Sequence, residues 1–160
     1  MIKKEKLNAI APLVLRLIVG IGFMVHGYVK ISRGTVGFEK LLIQIGVPFA
    51  HVNGLLVPYI ELLGGLAVLT GLYLRMIAIP LIITMLVAMF SIQFHYGFSS
   101  VNTIGLTSAG PKFGPPGYEI NLLYIACLIS LIFTGPGIFS IDEERVKRNK
   151  RRSNTNVELN

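Results

Sequence analysis

The sequence is short of charge before anything else: 14% of its 160 residues are Asp, Glu, Lys or Arg, where an average soluble domain carries about 25%. With 52% hydrophobic residues and a mean hydropathy of +0.66, that deficit excludes an ordinary water-soluble domain and points to a membrane protein. There is no Trp, and Cys127 is the one cysteine. A lone thiol excludes an internal disulfide and a self-contained Cys-x-x-Cys relay, and leaves a small apolar role for Cys127. Also lacking are a Walker or dinucleotide fingerprint, any motif for haem, flavin or nucleotide, and an internal repeat; Gly20, Gly22 and Gly27 read as helix-packing positions.

What is present is four apolar stretches, 9–29, 55–74, 76–94 and 120–139, each near the 20 or so residues that cross a hydrocarbon core of about 30 Å. They predict an all-α, integral membrane bundle of four transmembrane helices, the second and third joined by a tight hairpin at Arg75. The first stretch is expected to remain as a helix and not to be cleaved as a signal peptide. It contains Arg16, exceeds the usual apolar length, and ends in His26, Gly27, Tyr28 and Lys30 without a small-residue cleavage site.

Basic residues orient the bundle. Lys3, Lys4, Lys6, Arg75, Arg145, Lys147, Arg148, Lys150, Arg151 and Arg152 fall on one side, and Lys30, Arg33, Lys40 and Lys112 on the other, which predicts both termini in the cytoplasm and a multi-pass protein of the plasma membrane. The net charge of +7 is accounted for by this topology signal, with a contact to anionic lipid at most, and the nucleic-acid reading of the basic tail is rejected. The expected organisation is a membrane domain over residues 1–142 and a basic, disordered cytoplasmic tail over 143–160.

Two loops carry information. Phe38, Leu41, Leu42 and Ile45 recur at helical spacing and predict a short interfacial helix in the first outer loop, stopped by Gly46, Val47 and Pro48. Residues 105–117 are rich in Gly and Pro, which predicts irregular turns over the outer mouth of the bundle.

Ionisable residues inside the spans are expensive, so their placement is informative. At 1.5 Å per residue Arg16 lies about 9 Å from the cytoplasmic end, Glu61 about 20 Å, His26 about 24 Å and Lys30 about 30 Å. His95 and Glu119 sit at outer helix ends, with Tyr28, Tyr59, Tyr96 and Tyr118 nearby. Arg16, Gly20, Phe23, Gly27 and Lys30 share one stripe of the first helix, and Glu61, Gly64, Gly65, Val68 and Gly71 a small-residue face of the second. Thr84, Ala88, Ser91 and His95 form the polar stripe of the third.

The residues leave roles open. Glu61 is either a structural partner locking helices or a proton-exchanging carboxylate. Arg16 is a structural charge that either extends toward Glu61 or anchors near the cytoplasm. His26 and His95 read as interfacial hydrogen-bonding histidines; no Cys/His spacing supports a metal site, and none is expected.

The runs LRLIVGIGFMVHGYVKI, GFEKLLIQIGVPF, YIELLGGLAVLTGLYLR and PGYEINLLYIACLISLIFTGPGIFSID together resemble the DoxX family of small four-helix membrane proteins (DoxX/DoxD-like). The resemblance covers residues 12–142 and rests on Arg16, His26, Gly27, Lys30, Glu61, Leu62, Gly64, Gly65 and Glu119 in that order. It implies a group linked to redox chemistry at the membrane, among them the DoxD-type subunit of thiosulfate:quinone oxidoreductase, proteins of resistance to hydroquinones, catechols and thiol stress, and distant relatives that act in assembly.

The preferred expectation is a membrane subunit of a redox system that handles a quinone or similar small redox molecule. If the chain is catalytic, it is a quinone-linked oxidoreductase component. Glu61, His26 and His95 would then carry acid/base chemistry, with Lys30, Tyr28, Tyr59 and Glu119 in contact with the substrate. The alternative is a non-enzymatic scaffold or assembly subunit that recruits a partner oxidoreductase. Expected partners are the lipid bilayer and other membrane or soluble redox subunits, with self-association left open.

Overall fold

The computed structural model describes the backbone of residues 4–158 and the side chains of residues 9–151. Lys3, the side chains of Lys4, Lys6 and Arg152, and the last two residues of the tail lie outside the described residues. Among the described residues six α-helices follow one another: α1 (Lys4–Ser32), α2 (Thr35–Gln44), α3 (Ala50–Thr70), α4 (Leu74–Ser91), α5 (Glu119–Thr134) and α6 (Ile141–Glu158). A single 3-10 turn, Gln93–Tyr96, and a two-stranded antiparallel hairpin, β1 (Thr103–Thr107) and β2 (Gly110–Phe113), lie between α4 and α5.

Among the described residues three helices, α1, α3 and α4, are long and apolar enough to cross a membrane. The fourth expected crossing is shorter than its apolar run. Helix α5 has 16 residues and stops at Thr134, where Gly135 takes φ 79° and Pro136 follows, so the apolar residues up to Phe139 form a turn instead. Large apolar side chains crowd the outside as well as the core: Ile18, Leu63, Met76 and Phe133 are exposed, while Val19, Phe23, Val68, Leu74, Leu81, Leu128 and Leu131 are buried. In water such a surface would be prohibitive; in lipid it is the expected belt.

The two sequence stripes meet. A Cβ placed on Gly27 would lie 2.5 Å from the Pro58 carbonyl oxygen, and one on Gly65 would lie 2.7 Å from the Gly20 carbonyl oxygen. These neighbours are backbone and cannot yield, so only glycine lets α1 and α3 approach this closely. Gly64 faces the other way, onto Leu81 of α4.

The α3–α4 hairpin turns at Gly71, just before Arg75. Gly71 has φ 65°, and the Leu72 and Gly71 N–H groups close back on Ala67 and Val68. Helix α4 begins without a side-chain cap of its own, and Asp142 from α6 fills that role: its carboxylate accepts hydrogen bonds from Tyr73 N (3.0 Å) and Leu74 N (3.2 Å). Helix α2 forms where expected and ends in a Schellman pattern, with Gly46 at φ 73° and Val47 N bonded to the Leu42 carbonyl.

Two loop-level expectations change. The Gly/Pro-rich segment 105–117 contains a hairpin, because Thr103, Leu106 and Thr107 pair with Phe113, Pro111 and Gly110 across a turn held by the Thr107 hydroxyl. The tail, expected to be disordered over 143–160, is helical through Glu158. Its first turn carries Asp142, Glu143 and Glu144 at the positive end of the helix, and Lys147 reaches back to Glu143 at 3.0 Å and Glu144 at 3.3 Å. Those hydrogen bonds, first to Glu143 and then to Glu144, hold the exposed Lys147 ammonium above the usual lysine pKa.

Arg16 is 1% exposed, and all five of its N–H donors meet backbone carbonyls. Nε donates to Val68 (3.1 Å), Nη1 to Pro136 (2.8 Å) and Ile138 (3.0 Å), and Nη2 to Leu69 (2.7 Å) and Phe139 (3.1 Å). It is therefore an anchor at the end that gathers Ala9, the α3–α4 turn and residues 135–142, and it does not reach Glu61. Arg16→Lys offers three donors for five acceptors and should cost about 3 kcal/mol, the sum of two orphaned buried carbonyls. Thermal and denaturant unfolding in detergent micelles measures this, and a loss below about 1 kcal/mol would show that water reaches the carbonyls.

Candidate functional site

At the opposite end of the bundle, Lys30 of α1 faces Glu61 of α3. The Lys30 Nζ lies 2.6 Å from each carboxylate oxygen, with Glu61 2% exposed and Lys30 26% exposed. On its other side the same ammonium stands over the Phe38 ring of α2, 4.7 Å from the centroid. The cation is thus held between a carboxylate and an aromatic face, both favourable for a charge drawn out of water.

This pair forms part of the wall of a cavity of about 770 Å³ that lies between α2 and the ends of α3, α4 and α5 remote from Arg16. Most of its lining is apolar: Leu42, Ile45, Val57, Ile60, Ile83 and Val87 are representative. The stripe expected on α2, Phe38, Leu41, Leu42 and Ile45, lies entirely on this wall. Pro116 and Gly117 contribute from the second loop, while the hairpin itself takes no part.

The expected site residues divide. His26, Lys30 and Glu61 are brought together on the cavity wall. The His26 ring meets Tyr124 edge-on, with centroids 6.5 Å apart, and among the described residues no hydrogen bond to its nitrogens is formed. His95 is elsewhere. Helix α4 ends at Ser91, so Thr84, Ala88 and Ser91 of the polar stripe line the cavity, while the 3-10 turn carries His95 off that face and leaves it exposed. Tyr28 and Tyr59 are 63% and 44% exposed and lie outside the cavity wall. Glu119 braces the loop, its carboxylate accepting a hydrogen bond from Ser100 N at 3.0 Å. Tyr118 stacks on Phe94 with centroids 5.5 Å apart.

Sequence reasoning passed over four polar groups of the wall. Asn121, 5% exposed, donates weakly to the Met85 carbonyl at 3.4 Å. Gln93 presents a buried Oε1 that has no hydrogen-bond partner among the described residues. Tyr124 packs edge-on to Phe23, centroids 5.2 Å apart, with its hydroxyl against Gly22. Asn53 lines the cavity from α3 and donates to Pro48 at 2.8 Å. The available signal was Asn121, a polar residue in the first turn of an apolar helix.

An apolar helical belt around a buried Lys–Glu pair defines an integral membrane protein with an internal polar site. The DoxX family profile matches residues 11–94, which contain Arg16, His26, Lys30 and Glu61. Over 143 residues, 84% of this chain and 80% of the relative, the sequence is 30% identical to the uncharacterized membrane protein Rv3486 of Mycobacterium tuberculosis. The chain belongs to the DoxX family. No solved structure matches it.

Breaking a buried ion pair leaves an uncompensated charge, which typically costs 3–5 kcal/mol, whereas neutral replacement of both partners is far milder. Glu61→Gln or Lys30→Met alone should therefore lower unfolding stability by about 3 kcal/mol, and the double variant by clearly less than the sum. A double-mutant cycle in nanodiscs measures the coupling; additive losses would mean that the pair carries no mutual stabilisation.

Proposed function

We propose that this chain is a DoxX-family membrane subunit of a redox system that binds a quinone or a similar small redox molecule in the Lys30–Glu61 cavity. The carrying observation is the cavity's chemistry: a partly open, mostly apolar volume with a few polar groups at fixed places, which is what a ring with oxygen substituents and an apolar tail requires. In this reading α5 completes a four-helix crossing, both termini are cytoplasmic, and the membrane is the plasma membrane, in keeping with the basic residues gathered at one end.

The chain's residues have defined tasks in such a site. His26 has both ring nitrogens available to donate to, or accept from, a ligand oxygen, and an imidazole in contact with that oxygen can pass a proton to or from it. The Lys30 ammonium favours negative charge developing on that oxygen, and Glu61 keeps the ammonium in place. Tyr124 and Asn121 offer further hydrogen bonds from α5. Electrons come from a partner subunit, since the sequence has no motif for a carrier of its own.

A scaffold role is favoured by one feature of the same site: the Lys30 ammonium is engaged on both sides, by Glu61 and by Phe38, as a structural lock would be. Ligand-dependent stability separates the two readings. A ligand at about 100 times its dissociation constant adds about 2.7 kcal/mol. Ubiquinone or menaquinone in the nanodisc should thus raise the unfolding temperature of the wild type, and Ala88→Phe, which fills the cavity from α4, should abolish the increase while the protein stays folded. No increase for either quinone, or the same increase in Ala88→Phe, would defeat the redox-site reading.

A further inference from the structure

A second constellation lies at the Arg16 end, away from the cavity. A hollow of about 430 Å³ is lined by Phe139, Ser140, Ile141, Glu144, Arg145 and Arg148. Arg145 and Arg148 are three apart on α6 and so share a face. Arg145 is set in place by the Tyr73 ring, its guanidinium 4.9 Å from the centroid, which leaves the planar fork's edge for other partners. Among the described residues neither arginine has a carboxylate within salt-bridge distance. The nearby acids are already engaged. Asp142 caps α4, and Glu143 and Glu144 are taken up by Lys147. Arg75, exposed in the first turn of α4, adds a further positive charge at this end.

The apolar side of the hollow is as telling as the charged side. Phe139 is 81% exposed and held at φ 53°, a left-handed conformation unusual for a residue with a ring, and Ile141, 40% exposed, lies on the same wall. Bulky apolar surface beside two unpaired guanidiniums fits a ligand that carries both a negative headgroup and hydrocarbon. We infer that the Arg145–Arg148 hollow binds the phosphate headgroup of an anionic phospholipid, with its acyl chain against Phe139 and Ile141. A soluble anion satisfies the arginines and leaves Phe139 and Ile141 in water; an anionic lipid satisfies both. The inference is independent of the quinone reading and rests only on this end of the bundle meeting a membrane surface.

Native mass spectrometry of the full chain released from nanodiscs of phosphatidylcholine with or without phosphatidylglycerol tests it. Phosphatidylglycerol should be retained in preference to phosphatidylcholine, and Arg148→Gln should weaken that retention about fivefold, the effect of one basic residue at a lipid surface. Because Arg145 also packs on Tyr73, Arg148→Gln is the cleaner variant, and Arg148→Lys, which keeps the charge, should recover most of the retention. Equal retention of the two lipids, or retention unchanged in Arg148→Gln, would overturn the proposal. So would displacement of phosphatidylglycerol by millimolar inorganic phosphate, which would identify a site for a soluble anion instead.

Discussion

Arg16 is the constraint on which the architecture hangs. Inside a hydrocarbon layer a polar group must find its partner within the protein, and a buried guanidinium has five donors to satisfy. The chain meets that demand with carbonyls from two places, the last turn of α3 and the segment after α5. The Leu69 carbonyl lies in the last turn of α3, where helix carbonyls have no intrahelical partner, so the same side chain also completes that helix end. The requirement also explains local features that look unrelated. Helix α5 has to stop at Thr134 so that Pro136, Ile138 and Phe139 can turn their carbonyls toward the guanidinium, and Gly71 lies so close to it that a Cβ would sit 3.0 Å from Cζ.

From that anchor α1 runs 14 residues, about 21 Å, to Lys30, where a second charge is neutralised in a different way. Between the two, glycines on both partners bring α1 and α3 into backbone contact, so these helices form one close-packed unit pinned at each end by a charged side chain. The looser volume lies beside this unit. Helix α4 gives up regular structure at Ser91 and α5 starts at Glu119, and the space between their ends is walled by α2 and by Pro116 and Gly117. A rigid pair beside a partly open pair is the arrangement that lets a bundle of short helices hold an internal cavity without losing its register.

How much of this was legible in the sequence follows from the range of each interaction. Three of the four apolar spans, the α2 stripe and the glycine faces are properties of local periodicity, and they appear where expected because burial acts through that period. The Lys30–Glu61 pairing was only partly within reach of depth counting, which puts both residues in the outer half but about 10 Å apart, a gap closed by the long lysine side chain and the helix packing. Three things were not legible. The role of Arg16 depends on carbonyls far along the chain. The position of His95 depends on where α4 changes to a 3-10 turn, which shifts a side chain around the axis without any signal in the stripe. The β1–β2 hairpin was hidden because Gly and Pro dominate its composition, while the pairing itself rests on main-chain register.

The contrast between the two charged sites bears on what the cavity does. Arg16 is saturated: each donor has an acceptor, so the group has no capacity left for a ligand and its task is structural. The cavity wall is not saturated. Lys30 and Glu61 satisfy one another, yet beside them His26 is without a hydrogen bond and Gln93 has a buried oxygen without a donor, both among the described residues. A buried polar atom without a partner costs about 1–3 kcal/mol, and a wall whose purpose were only to hold helices together would gain by replacing Gln93 with an aliphatic residue. That cost is offset when a molecule with its own donor enters. The same physics that identifies Arg16 as architecture therefore weighs toward ligand binding at the opposite end of α1.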